Sequence, residues 1–118
     1  MTKADIADRA ADIIETDGWT QHRSTYRGRR CLLAALGEAA AQILSPAATR
    51  RQVTVMGDLY EDIADHLDLH GHRQLGVGVV NVAGPVLVDW NDTDGRTRYE
   101  VIDALRGTAK HLRNKAKP

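Results

Sequence analysis

At 118 residues the chain is long enough for one domain that buries roughly two-thirds of the surface its unfolded form exposes. Sixteen Lys plus Arg balance sixteen Asp plus Glu, so no net field draws the whole molecule to nucleic acid or to a membrane surface. A single cysteine excludes an internal disulfide and fits a reducing compartment, and 4% aromatic content without Phe leaves core building to Leu, Ile, Val and Ala.

Met1 to Asp8 contain no apolar h-region, so no secretory signal is expected. The uncharged run from Leu75 to Val88 carries three glycines and a proline and is too short to span a bilayer. These features predict a soluble, cytoplasmic, single domain over residues 1–118.

In chain order, Thr2 and Asp5 open a first helix near residues 3–17, with Ile6, Ala10, Ile13 and Ile14 as its buried stripe. Gly18 stands where a left-handed residue ends such a helix, and Trp19 is expected to fold back against that end. Residues 20–30 are polar and basic, show no helical period, and read as a functional loop with room for a short strand. Cys31 opens an alanine-rich helix near residues 31–45, burying Leu32, Leu33, Leu36, Ala40, Ile43 and Leu44 and stopped by Ser45-Pro46. Thr49 and Gln52 form a capping pair for a third helix near residues 49–70, with Val53, Met56, Leu59, Tyr60, Ile63 and Leu67 on its apolar face and Gly71 as its stop.

Residues 75–90 hold two β-branched runs around Ala83-Gly84-Pro85, which predicts an extended or hairpin segment packed on the helical body. At Trp90 the apolar run ends, and Asn91-Asp92-Thr93-Asp94-Gly95 make a turn. Trp90 is expected to be mostly buried with a hydrogen-bonded indole, anchoring that turn. Thr97 and Glu100 form a capping box for a last helix near 97–114, whose stripe is Ile102, Leu105, Ala109 and Leu112. The expected fold class is therefore mainly α: a compact four-helix domain with a short extended or hairpin segment before the last helix.

Gly18-Trp19 after the first helix, Gly28-Arg29 followed by Cys31, and Trp90-Asn91-Asp92 before Arg96-Thr97 and Glu100-Val101 together form a pattern. It resembles an uncharacterised family of small proteins from actinobacteria and the phages that infect them. The resemblance spans most of the chain on short motifs, and implies a lineage and a fold but no mechanism. Two departures stand out: Ala34 replaces a glycine frequent after the cysteine, and the apolar stretch before Trp90 is longer than usual.

Cys31 at a helix start beside Arg29 and Arg30 sits where dipole and cations stabilise a thiolate, with His22 as a candidate base. That defines the alternative reading, a small Cys-dependent hydrolase or transferase. A free cysteine is more often a small packing residue, and no second motif supplies an oxyanion hole, so no catalytic residue is expected. Asp62, His66 and His70 share one helical face and are the alternative metal ligands; solvated histidines near a helix end are the plainer account, and no metal or cofactor is expected. His72 lies beyond Gly71. The turn resembles a calcium loop at Asp92, Asp94 and Gly95, but Trp90 and Val101 fall at ligand positions they cannot fill. Gly76-Val77-Gly78 lacks the rest of a dinucleotide fingerprint.

Charge is segregated. Residues 22–30 hold four arginines and no acid; residues 106–117 hold Arg106, Lys110, Arg113, Lys115 and Lys117, again without an acid. Asp58, Glu61, Asp62, Asp65 and Asp68 make the third helix acidic, so phosphate repulsion argues against a helix-turn-helix and against nucleic acid. The expectation is a non-enzymatic interaction or modulator protein that binds a cellular or host protein, with phage origin as one possibility. Its contact set is Trp19, Arg23, Tyr26, Arg27, Arg29, Arg30, Asn91 and Asp92. A homodimer is also expected, because residues 75–88 carry more uncharged apolar surface than one small domain easily covers.

Overall fold

The computed structural model describes residues 2–44, 49–69 and 83–116, with backbone alone for 49–51. Five helices and one two-stranded hairpin follow in the order α1 (Thr2–Asp17), β1 (Thr25–Tyr26), β2 (Arg29–Arg30), α2 (Leu32–Ile43), α3 (Thr49–His66), α4 (Ala83–Asn91) and α5 (Arg98–Ala116). The helices close a ring: α1 packs on α5 and α2, α2 on α4, α4 on α3, and α3 returns to α5.

The α1–α2 interface explains the alanine content. Ala4, Ala7, Ala10 and Ala11 of α1 and Ala35, Ala39 and Ala40 of α2 are fully buried. Small side chains let the two backbones approach closely, while Ile6, Ile14, Leu32, Leu36, Leu59, Ile63, Leu87 and Leu105 fill the space between helices. Each of these large residues contributes roughly 1.5–3 kcal/mol on full burial. The outer face of α1 carries Asp5, Asp8, Asp12 and Glu15, which meet α5: Arg106 donates to Asp12 and Glu15, and Arg113 to Asp5 and Asp8. Two bases of the C-terminal helix, Arg106 and Arg113, are thus neutralised by α1.

Helix ends follow the local chemistry. Gly18 has φ +101°, and its N–H closes on the Ile14 carbonyl at 2.9 Å, ending α1 as expected. The capping box of α5 is present: the Glu100 N–H donates to Thr97 Oγ1 at 3.2 Å, and the Thr97 N–H to Glu100 Oε1 at 2.9 Å. Those bonds, with Arg96 four residues before it, hold the Glu100 carboxyl below its ordinary range.

Several expectations need correction: Ile43, expected to be buried, and Val53, expected on the apolar face of the third helix, are both exposed. The chain from Ala83 to Asn91 is the helix α4, where an extended segment was expected; residues 75–82 lie outside the described residues. Pro85 falls in the first turn of α4, where a missing N–H costs nothing, so the residue that suggested a hairpin corner starts a helix. Gly84 is buried, with the Tyr60 ring and Leu33 within 4.0 Å of where its Cβ would be, which lets α4 settle between α2 and α3. The described residues therefore hold five helices. Helix α3 also stops at His66, four residues early, before Gly71 is reached. Asp68 takes the left-handed conformation (φ +59°), and the Leu69 N–H to Ala64 and Asp68 N–H to Asp65 bonds complete a Schellman motif. The Thr49 side chain lies outside the described residues, as does His70.

Candidate functional site

Asn91, the last residue of α4, joins the basic hairpin to the helical body. It is 1% exposed, and its amide is completely satisfied. Oδ1 accepts from the Trp19 indole at 2.7 Å and from the Leu32 N–H at 3.1 Å; Nδ2 donates to the Thr20 carbonyl at 3.2 Å and to Asp92 Oδ1 at 2.9 Å. The Leu32 contact also caps the start of α2, since that N–H has no partner inside its own helix. Gln21 adds a second clasp, its Nε2 donating to the Asn91 and Thr93 carbonyls at 3.0 and 2.9 Å. The His22 N–H donates to Asp92 Oδ1 at 2.8 Å. Partial burial pushes the Asp92 carboxyl up, but the His22 N–H, the Asn91 amide and the His22 ring outweigh it and hold it below the ordinary aspartate value.

Trp90 was expected in this central role and is one position off it. Its ring is only half-buried, packed against the core's edge beneath the Arg96 guanidinium, 4.1 Å from the ring centroid. Arg96 also donates to the Trp90 carbonyl at 2.9 Å and pairs with Glu100. The tied indole belongs to Trp19. Thr20, Gln21 and Arg96 were not in the expected contact set, although Arg96 belongs to the motif before Glu100; of the three, only Arg96 carries a readable signal, its four-residue spacing to Glu100.

The hairpin held by this knot turns at Arg27 (φ +51°) and Gly28 (φ +82°), between paired Tyr26 and Arg29. Two successive left-handed residues make a type I′ turn, whose twist suits paired strands. The four arginines then separate by role. Arg30 pairs with Asp17 and Glu38, and the stem of Arg29 lies over Gly18, where an added Cβ would come within 2.8 Å. Arg23 and Arg27 stand on the exposed Tyr26 ring, 5.0 and 5.3 Å from its centroid, and neither has a carboxylate partner among the described residues.

At the hairpin's foot a cavity of about 220 Å³ is lined by His22, Arg23, Ser24, Cys31, Leu33, Val88, Asn91 and Asp92. The structure therefore brings Cys31 and His22 to one cavity, with Asp92 Oδ2 3.8 Å from His22 Nδ1. Cys31 is half-buried and caps α2, its Sγ accepting the Ala34 N–H at 3.4 Å. Asp62 and His66 line one cavity of about 290 Å³ with Asp65, His111, Leu112 and Lys115, where Asp62 accepts from Lys3 at 2.7 Å and the His66 ring lies against Gly107 of α5. No group of three or more metal-ligating side chains occurs among the described residues, and none of the described helices is long and apolar enough to cross a membrane.

No curated protein and no solved structure matches this chain. One family model does, over nearly the whole length: matched across residues 1–111, the chain belongs to the family of unknown function DUF6197.

Proposed function

We propose that this protein is a non-enzymatic interaction module that engages an acidic surface of another protein through the tip of its β1–β2 hairpin. The observation that carries this is the contrast among arginines. Arg30, Arg96, Arg106 and Arg113 each meet a carboxylate of their own chain, whereas Arg23 and Arg27 flank an exposed tyrosine with none. Tyrosine between arginines offers flat apolar area and fixed positive charge together, a combination enriched where proteins bind. Backbone strain points the same way. His22 and Arg27 both hold positive φ without being glycine, and such residues cluster at binding sites. The partner is a cellular protein and, where the chain is phage-borne, a protein of the host. Affinity capture from a host lysate tests the reading: charge reversal at Arg23 and Arg27 should abolish capture while Lys110→Glu on α5 retains it. Identical capture by both variants refutes it.

A second reading rests on the shared cavity of Cys31, His22 and Asp92. In it Cys31 is a nucleophile and His22, oriented by Asp92, its base, giving a small hydrolase or transferase. Two features weigh against it. The Ala34 and Leu32 N–H groups that could face an oxyanion are taken by Cys31 and Asn91. Iodoacetamide should alkylate Cys31 faster in the native chain than in His22→Ala if this reading holds; equal rates remove it.

A further inference from the structure

Helices α2 and α4 form a seam that is polarised from end to end. Leu33 and Gly37 lie one turn apart on α2, and Val88 and Gly84 one turn apart on α4. The 220 Å³ cavity takes Leu33 and Val88 as walls; a second cavity of about 810 Å³ takes Gly37 and Gly84, together with Val53, Met56, Tyr60 and Pro85. The smaller cavity adjoins the Arg23–Tyr26–Arg27 tip. The larger is also lined by Asp58 and Glu61 of α3, which have no ion-pair partner among the described residues. Val53, 69% exposed, lines the larger cavity and Val88, 39% exposed, the smaller, while Tyr26 stands 38% exposed on the hairpin beside Arg23, which also lines the smaller cavity. One face thus carries unpaired bases at one end, unpaired acids at the other, and apolar surface between them.

Such a face is complementary to itself when turned end for end. A two-fold axis across the seam sets the basic tip of each copy against the acidic cavity of the other, so the same junction forms twice and each of these charges is met once. We propose that a second copy of this chain covers the α2–α4 seam in that antiparallel arrangement. The Tyr26 ring with its two arginines enters the 810 Å³ cavity between Asp58 and Glu61, and Val53 and Val88 lose their exposure to water. The volume suits the occupant, since sites of roughly 300–1,000 Å³ accept groups of drug-like size. This rests on the hairpin reading above and names the acidic surface that the hairpin meets.

Light scattering on the full chain at micromolar concentrations, in low and high salt, tests it. The native chain is expected at twice the chain mass, with a dissociation constant that rises with salt because rim charges are screened. Arg23→Glu with Arg27→Glu, and separately Asp58→Arg with Glu61→Arg, should each weaken the dimer at least tenfold while keeping the native helical circular dichroism spectrum, the melting temperature falling only by what the lost association accounts for. Mixed in equal amounts, the two variants should recover the dimer, since both junctions of the mixed pair are attractive. A one-chain mass at every concentration, a dimer indifferent to either reversal, or assemblies growing beyond two chains overturns the proposal. If the chain is monomeric but lysate capture still depends on Arg23 and Arg27, only the self-association fails; if capture is also indifferent to them, the hairpin reading falls with it.

Discussion

Replacing Asn91 with Ala should be among the most damaging polar substitutions in this chain. The change removes four side-chain hydrogen bonds, to Trp19, Leu32, Thr20 and Asp92, at a position 1% exposed. The Leu32 N–H suffers most, because Leu32 is fully buried and that group begins a helix. Leaving such a donor unpaired costs about 1–3 kcal/mol, and each other bond nets about 0.5–1.5 kcal/mol, less where water can reach. The Trp19 and Asp92 groups are partly exposed and recover some of their loss, so the total is about 3–5 kcal/mol. Against a total stability of about 5–15 kcal/mol that is a large fraction. Thermal unfolding followed by circular dichroism should show a melting temperature lower by about 12–20 °C, taking about 4 °C per kcal/mol for a domain of this size. Asn91→Asp keeps both acceptor contacts but turns an oxygen toward the Thr20 carbonyl and Asp92. Relative to the native chain it should be destabilised more at neutral pH than near pH 4, where protonation restores a donor. A loss under about 4 °C for Asn91→Ala would mean that water or a local shift repairs the knot, and the account of Asn91 as the residue that joins the hairpin to the helical body would fail.

Three smaller effects follow from local geometry. Thr97→Ala removes the capping hydroxyl of α5 and should cost about 1 kcal/mol in urea unfolding, with Glu100→Ala not adding its full effect because the two act as one box. Arg27→Asn replaces a strained residue with one suited to the first position of a type I′ turn, so it should raise the melting temperature by about 2–4 °C while weakening partner binding; a lower melting temperature would contradict the turn assignment. Asp92 has a folded pKa below its unfolded value, so its contribution is present above the ordinary aspartate range and is lost as pH falls through the lowered folded value. Acid titration should therefore destabilise the native chain below about pH 4 more steeply than Asp92→Asn.

The parts of the fold legible in the sequence are those whose signals are local. Gly18 ends α1 and the Thr97–Glu100 box opens α5 because the chemistry of both lies within four residues. The buried stripes Ile6-Ala10-Ile13-Ile14 and Ile102-Leu105-Ala109-Leu112 follow from helical spacing alone. Helix α4 was misread because propensity and position disagree. Val86 and Val88 favour strands and Pro85 favours turns, yet contact with α2 and α3 decides for a helix, and a first-turn proline permits it. The end of α3 was missed because Asp68 does what the sequence suggested a glycine would do three residues later.

The site was legible only as a list of residue types. Asn91 meets Trp19 across 72 residues and Leu32 across 59, and no spacing in the sequence predicts that one amide serves both. The arginines show the same limit more sharply. Within residues 22–30 all four are alike in composition, and a charge count assigns them one role. The fold divides them. Arg30 is met by Asp17, across the hairpin at the end of α1, and by Glu38, two turns into α2. Arg23 and Arg27 are turned to the other face of the same hairpin, where Tyr26 offers a ring and no charge. A structural arginine costs its partner an acid; Asp58 and Glu61 show that acids remain on this surface that the fold did not use in that way. The balanced total of sixteen and sixteen therefore conceals that, among the described residues, Arg23 and Arg27 at one end of the seam and Asp58 and Glu61 at the other are left without an opposite charge.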